Sequence, residues 1–367
     1  MGSMKNCFLQ ILGQCKGDIM QEKVQNSDVE FNFDKQMTTA IKGVSICIML
    51  FHHFIGFPDW VNEGNVIYGI PFNDKTLEYY LAVFGKICVA MYTVLSGYGL
   101  YISYRNKDKI WDFKYLLIKT VQLLVNWWLI VLIVEMPVIL FGDSGGGIQK
   151  IIRHLTLTQL DGNPFVGYIK FYFLALWTSP FCYTIVKKTK RVYACVLILP
   201  FLGMVLRKLL VATIGENDLL YTYLLYIPYF LTGMVICKSK LYNIIYQYIK
   251  KVKFYNAFCV VLLIVVVVLR LVFGNYALSF DSWFSAAFIF GIACMLQKQS
   301  YIKMMFLKLG QYSTNLWYSH AVWIFGGVTM QKILYSPRIP ILILAWGIIL
   351  CMPGVLITSW LKKKMKV

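Results

Sequence analysis

The sequence predicts an all-α integral membrane protein, a bundle of about ten transmembrane helices with both termini in the cytoplasm. Of its 367 residues, 59% are hydrophobic and only 14% are charged, whereas a soluble domain carries about 25% charged residues. Apolar runs of about 18 residues or more recur along the chain, and in lipid only helices satisfy their own backbone hydrogen bonds in such runs. Lysine and arginine also alternate from loop to loop, which indicates a defined orientation in the membrane.

The ten apolar segments predict the spans in chain order as residues 38–57, 79–103, 115–141, 166–186, 192–213, 220–237, 254–273, 281–297, 310–334 and 339–360. Residues 148–160 predict a short amphipathic helix that lies on the membrane surface. The predicted organisation is therefore a cytoplasmic N-terminal tail (1–37), a membrane domain (38–361) and a basic cytoplasmic tail (362–367).

The positive charge follows the predicted topology. With the N-terminus inside, the cytoplasmic loops and tail from Arg105 onward hold twenty lysines and arginines, and the outer loops hold only five, namely Lys75, Lys150, Arg153, Lys332 and Arg338. Cytoplasmic loops of membrane proteins are enriched in this way. The formal net charge of +19 therefore indicates an anionic lipid leaflet as its partner and argues against nucleic acid.

The ten cysteines do not predict a metal site. None forms a CxxC pair, and most lie within apolar segments, where cysteine behaves as a small packing residue. No cluster of metal ligands is present in the sequence, so we expect no metal cofactor.

The first predicted span contains two polar residues on one helical face. Lys42 and His53 are eleven residues apart, which brings them within about 20° of each other around the helix and separates them by about 16 Å along it. His52 points about 80° away. A polar face on a membrane helix looks into the bundle or a wet cavity, so His53 is a candidate general base. The alternatives are a snorkelling anchor for Lys42 and a hydrogen-bonded core residue for His53.

Two further sites carry polar side chains inside predicted spans. His320 lies at mid-membrane depth, with Ser313 two helical turns before it on the same face. Helix–helix hydrogen bonding is the alternative for this pair. Glu135 lies two residues before Pro137, and a carboxylate in a membrane is usually partnered. It is a third catalytic candidate, able to orient a histidine or pair with an arginine.

Three motifs in this order resemble the membrane-bound acyltransferase-3 family. The first is a lysine, ten residues and a histidine in the first span, here Lys42 and His53. The second is LSGF in the second span, here Leu95-Ser96-Gly97-Tyr98. The third is LGxxSxxxYLxH in a late span, here LGQYSTNLWYSH with Ser313 and His320. The resemblance covers about residues 35–362.

The resemblance implies an enzyme that takes an acyl group, most often acetyl, from cytoplasmic acyl-CoA. It passes that group to a hydroxyl of a sugar, often at the outer side of a bacterial plasma membrane. His53 would be the general base, and Lys42, a second catalytic candidate, would bind the CoA end or tune the channel electrostatically. The other donor-binding residues would be Ser96, Lys114 and Lys119. His320, Ser313 and Tyr98 would bind the acceptor. The family's RxxR pair before the third span is replaced here by Lys119 and Gln122.

Two other classes fit the hydropathy profile, namely a transporter or flippase for a lipid-linked glycan and a polysaccharide polymerase. A monomer and a homodimer are both compatible with the sequence. The family's C-terminal SGNH-type domain is not found in this sequence, so we expect direct transfer or a separate partner.

Overall fold

The computed structural model describes residues 31–62, 64–107, 109–142, 146–158, 167–213, 219–274 and 277–365. Within these ranges the chain is helical almost throughout, and the only strands are a two-residue antiparallel pair, Pro71–Phe72 with Lys75–Thr76. The predicted all-α membrane class is confirmed. Most of the predicted N-terminal tail (residues 1–30) and the last two residues of the basic tail lie outside the described residues.

Seventeen helices are labelled here in chain order. They are α1 (Lys35–Ile55), α2 (Leu77–Phe84), α3 (Cys88–Arg105), α4 (Phe113–Ile130), α5 (Met136–Phe141), α6 (Gly147–Thr156), α7 (Gly167–Lys188), α8 (Val192–Thr213), α9 (Leu219–Ser239), α10 (Leu241–Ile249), α11 (Tyr255–Phe273), α12 (Ala277–Lys298), α13 (Ser300–Gln311), α14 (Ser313–Ser319), α15 (Ala321–Phe325), α16 (Val328–Tyr335) and α17 (Pro340–Met365). A 3-10 turn, Gly85–Ile87, joins α2 to α3, and a π-helical turn, Val131–Glu135, joins α4 to α5.

Nine helical segments in the described part of the chain are long and apolar enough to cross a membrane. They correspond to nine of the ten predicted spans, and α6 corresponds to the predicted surface helix. The exception is residues 310–334, which do not form one continuous helix. Breaks at Tyr312 and His320 separate α13, α14 and α15, and Gly327, with φ of 108°, separates α15 from α16. The count of ten spans and the cytoplasmic termini stay predictions.

The first helix begins at a side-chain cap. The carboxylate of Asp34 accepts a hydrogen bond from the backbone N–H of Met37 at 2.7 Å, which satisfies one of the free donors of the first turn. From there α1 runs to Ile55 with most of its residues buried. This central position gives its polar residues neighbours on several sides.

Helix α1 lies directly against the segment α13–α15, backbone to backbone. A Cβ on Gly43 would overlap the carbonyl oxygen of Phe306, and a Cβ on Gly310 would overlap the carbonyl oxygen of Thr39. Small residues permit this close approach in membrane proteins. Residue 43 lies beside 310, and residue 53 lies beside 320, so the two segments run parallel and in step.

The second span is anchored at its interruption by two side chains. The ring nitrogen Nδ1 of His52 lies 2.6 Å from the carbonyl oxygen of Ala82, and Nη1 of Arg270 lies 3.3 Å from that of Val83. Arg270 also makes a bidentate ion pair with Asp281, at 2.7 and 2.9 Å. These contacts join α1, α11 and α12 to the last turn of α2.

Adding a methyl group at the α1 contact is expected to destabilise the fold. Gly43→Ala places a Cβ against the carbonyl of Phe306, and overpacking of this kind costs about 1–3 kcal/mol. The matched control is Gly99→Ala in α3, where a Cβ meets nothing within 4 Å and alanine favours the helix by about 1 kcal/mol. Thermal unfolding in detergent should show a lower midpoint for the first variant only. Equal midpoints would contradict the close contact.

Candidate functional site

Three cavities follow one another through the described part of the bundle. The histidine cavity, about 290 Å³, is lined by His53. The middle cavity, about 160 Å³, is lined by Lys42 and Ser96. The lysine cavity, about 530 Å³, is lined by Lys119, Lys362 and Lys363.

Adjacent cavities share walls. The histidine and middle cavities have Tyr92, Tyr168 and Trp317 in common. The middle and lysine cavities have Leu123, Tyr172 and Thr314 in common. Residues of α4 and α17 line the lysine cavity, which lies toward the ends of these helices that the predicted topology assigns to the cytoplasm. The histidine cavity lies near the outer ends of α7 and α9.

His53 is hydrogen-bonded to His320, the histidine predicted in a late span. Its Nδ1 lies 2.7 Å from Nε2 of His320, and the two ring planes differ by 8°. Nδ1 of His320 lies 2.5 Å from the carbonyl oxygen of Trp317. Both histidines are buried, with 8% and 0% of their surfaces exposed. The structure thus brings together two candidates that are 267 positions apart in the sequence.

These two hydrogen bonds define the tautomers of the pair. The carbonyl oxygen of Trp317 can only accept, so Nδ1 of His320 carries a proton and donates it. A neutral His320 then accepts at Nε2 from the N–H at Nδ1 of His53. This leaves the lone pair of His53 on Nε2, because the hydrogen bond of one ring nitrogen decides the state of the other. The arrangement is that of a base held by a second imidazole.

Lys42 and Ser96 lie one step closer to the predicted cytoplasmic side. The hydroxyl of Tyr92 donates to the carbonyl oxygen of Lys42 at 3.1 Å and also bonds Ser313. Tyr168 bonds the hydroxyl of Thr93 at 2.9 Å. Ser313 itself lines none of the three cavities, but it contacts Tyr92, which lines the histidine and middle cavities.

Two predicted ligand-binding residues lie away from the cavities. Tyr98 packs edge-on against Phe33, with ring centroids 4.8 Å apart, and it lines none of the three cavities. Lys114 is exposed near the start of α4 and does not line the lysine cavity. Lys119 does line it, and its Nζ donates to Oε1 of Gln122 at 3.1 Å.

Glu135 forms a separate buried pair. Its carboxylate lies 2.7 Å from Nδ1 of His154 on α6, and both side chains are 3% exposed. The π-helical turn that ends at Glu135 turns its side chain toward α6, and the indole N–H of Trp127 donates to the carbonyl of His154 at 2.9 Å. The carboxylate thus orients a histidine, as one of the predicted alternatives had it, but that histidine is His154. The pair lines a small cavity of about 20 Å³, apart from the three in series.

In the ranges covered by the structure, no group of three or more histidine, cysteine or acidic residues could hold a metal ion. The cysteines described there are free thiols.

Sequence reasoning missed several walls of the site. Tyr92, Tyr168 and Trp317 lie between the histidine cavity and the middle cavity. Lys362 and Lys363 line the lysine cavity, whereas the sequence places them in the cytoplasmic tail. Aromatic residues are common throughout this chain, so no sequence signal distinguished these three. The lysines carry an appropriate charge, but only the fold brings them beside Lys119.

A family model described as an acyltransferase domain matches residues 39–361. No curated protein and no solved structure matches the chain. Since the matched region covers most of the sequence, the chain belongs to the acyltransferase-3 family, and the family resemblance of its motifs is confirmed. It is a multi-pass membrane protein and a membrane acyltransferase.

Replacing His154 with alanine is expected to destabilise the protein by about 1–3 kcal/mol, because it removes the buried hydrogen bond between the imidazole and the carboxylate of Glu135. Glu135→Gln, which retains a hydrogen-bonding side chain, should cost less. Thermal unfolding in detergent measures both. The rate of acyl transfer per folded molecule should change little, since this pair lines a different cavity. Unchanged unfolding with a large loss of rate would instead place Glu135 in the reaction.

Proposed function

Because the chain belongs to this acyltransferase family, we propose that it transfers an acetyl group from cytoplasmic acetyl-CoA to a hydroxyl of a cell-surface or lipid-linked polysaccharide. The observation that carries the proposal is the series of three cavities with lysines at one end and a buried histidine pair at the other. The proposed location is a bacterial plasma membrane, and a monomer suffices because all three cavities lie within one chain.

The donor enters from the side of the lysine cavity. Its phosphates are anionic, and lysine binds phosphate as a point charge, so the nucleotide stays in the cavity that contains Lys119. The narrow pantetheine arm passes Ser96 and Lys42 in the middle cavity. Its thioester then reaches the histidine cavity, and the positive charge of Lys42 attracts the anionic donor along this path.

His53 is the general base of the proposed reaction. Its Nε2 removes the proton from the acceptor hydroxyl as the oxygen attacks the thioester carbonyl. A C–O bond forms, the C–S bond breaks, and the proton passes from His53 to the leaving thiolate to give CoA. The acceptor reaches the same cavity from the ends of α7 and α9, which the predicted topology assigns to the outer side.

In the proposed reaction His320 orients His53 and does not bind the acceptor. Its hydrogen bonds to Trp317 and His53 orient the imidazole of His53 and select the tautomer with the lone pair on Nε2. This is the role that a third group plays for the base in other nucleophilic sites. It replaces the acceptor-binding role that the sequence suggested for His320.

His53→Ala is expected to abolish acetyl transfer because no other described side chain holds the same position in the cavity. A loss of about 10²–10⁴-fold is typical for a missing general base. The purified protein in lipid nanodiscs is assayed with radiolabelled acetyl-CoA and surface polysaccharide. His52→Asn is the matched control, because its amide nitrogen takes the position of Nδ1 and can still donate to the carbonyl of Ala82, and the side chain lies off the face of His53. Near-normal activity of His53→Ala would refute the mechanism.

Acetyl-CoA is expected to raise the unfolding temperature of the protein, whereas a glycan transporter should be indifferent to it. A ligand at a hundred times its dissociation constant stabilises the bound state by about 2.7 kcal/mol. The His53→Ala variant should still respond, since the nucleotide binds in the lysine cavity. No shift for either protein at millimolar acetyl-CoA would favour the transporter alternative.

A further inference from the structure

The lysine cavity has a wall contributed by the last helix. Ser359, Lys362 and Lys363 of α17 line it together with Lys119 of α4. Positions three and four apart share one face of a helix, so Ser359, Lys362 and Lys363 all lie on the face of α17 that lines this cavity. Lys364 is the next residue, but its Nζ lies 4.4 Å from the ring centroid of Trp360 and it does not line the cavity.

The charged side chains that line this cavity are all positive. Its described walls contain three lysines and neither aspartate nor glutamate. Lys119 and Lys363 are exposed and Lys362 is half-buried, and all three residues line the cavity. Gathering like charges from two helices costs electrostatic energy, and an anion entering the cavity would offset that cost.

A second observation points to a ligand in the same cavity. The side chain of Asn126 is 3% exposed and lines the cavity, yet its Oδ1 has no hydrogen-bond partner within the described residues. A buried acceptor without a donor costs about 1–3 kcal/mol. A ligand that carries both phosphates and amide or amino N–H groups would satisfy the lysines and Asn126 together.

We propose that Lys362 and Lys363 bind the phosphates of the donor's nucleotide together with Lys119, while Oδ1 of Asn126 accepts an N–H from the same donor. This rests on the proposed function and assigns the donor-phosphate site to residues outside the family motifs. The basic end of α17 is then a substrate-binding element rather than a cytoplasmic tail. In the family's RxxR pair the second residue is a cation, whereas here that position is Gln122. The end of α17 supplies the missing positive charge.

The test is a donor series on the double variant Lys362→Ala/Lys363→Ala. The KM for acetyl-CoA should rise about ten- to hundredfold, because hydrogen bonds to charged groups are the stronger ones, while kcat at saturation changes little. S-acetylpantetheine lacks the nucleotide, so the same substitutions should leave its KM unchanged. Lys364→Ala is the matched control, because Lys364 packs on Trp360 and does not line the cavity, and it should behave like the unmodified protein with both donors.

Direct binding gives a second measurement that does not depend on turnover of a truncated donor. CoA should raise the unfolding temperature of the unmodified protein and of Lys364→Ala, and the shift should be smaller in the double alanine variant. Charge reversal, Lys362→Glu/Lys363→Glu, should weaken CoA binding further than alanine does. Equal effects of alanine and glutamate, or an unchanged KM and thermal shift in the double variant, would overturn the assignment.

The two proposals fail in different ways. If the lysine variants bind CoA normally while His53→Ala is inactive, the phosphate site is wrong and the proposed reaction stands. If His53→Ala is active, the proposed reaction is wrong whatever the lysines do. A rise in KM that is equal for acetyl-CoA and S-acetylpantetheine would show that α17 shapes the passage without recognising phosphate.

Discussion

The functional site depends on one backbone contact, the packing of α1 against the segment α13–α15. Gly43 and Gly310 let the two backbones approach until each glycine meets a carbonyl of the other segment. Because both segments are helical and run in step, this contact ten residues earlier determines that His53 meets His320. Any side chain at either glycine would separate the imidazoles as well as the helices.

The interruptions of the late segment serve the same site. In a continuous α-helix, the carbonyl oxygen of Trp317 would accept a hydrogen bond from the backbone N–H of Ala321. The break at His320 brings Nδ1 of that histidine to the carbonyl of Trp317. The ring of Trp317 meanwhile forms a wall of two cavities. One short stretch of irregular helix therefore both orients the histidine pair and narrows the passage, and it is shielded from lipid by burial, as irregular backbone in a membrane must be.

Much of this arrangement could be predicted from local signals. Apolar run length predicted all nine helical segments of the described residues that are long and apolar enough to cross a membrane. Helical spacing placed Lys42 and His53 on one face, and they line adjoining cavities. Contacts between segments that are far apart in the sequence could not be predicted from these local signals. The bond between His53 and His320, the pairing of Glu135 with His154, and the meeting of Lys119 with Lys362 all join segments far apart in the chain. Periodicity describes which face a residue takes, but not which helix that face will meet.

The order of the cavities has a consequence for kinetics under the proposed function. Donor and acceptor enter the histidine cavity from opposite ends, so the two can be bound together and a ternary complex precedes the chemistry. The spent CoA would leave through the lysine cavity, and it retains the phosphates that held it there. Product release would then compete with donor binding. Inhibition by CoA would be competitive toward the donor and not toward the acceptor, so that the rate of transfer follows the cytoplasmic ratio of acylated to free CoA.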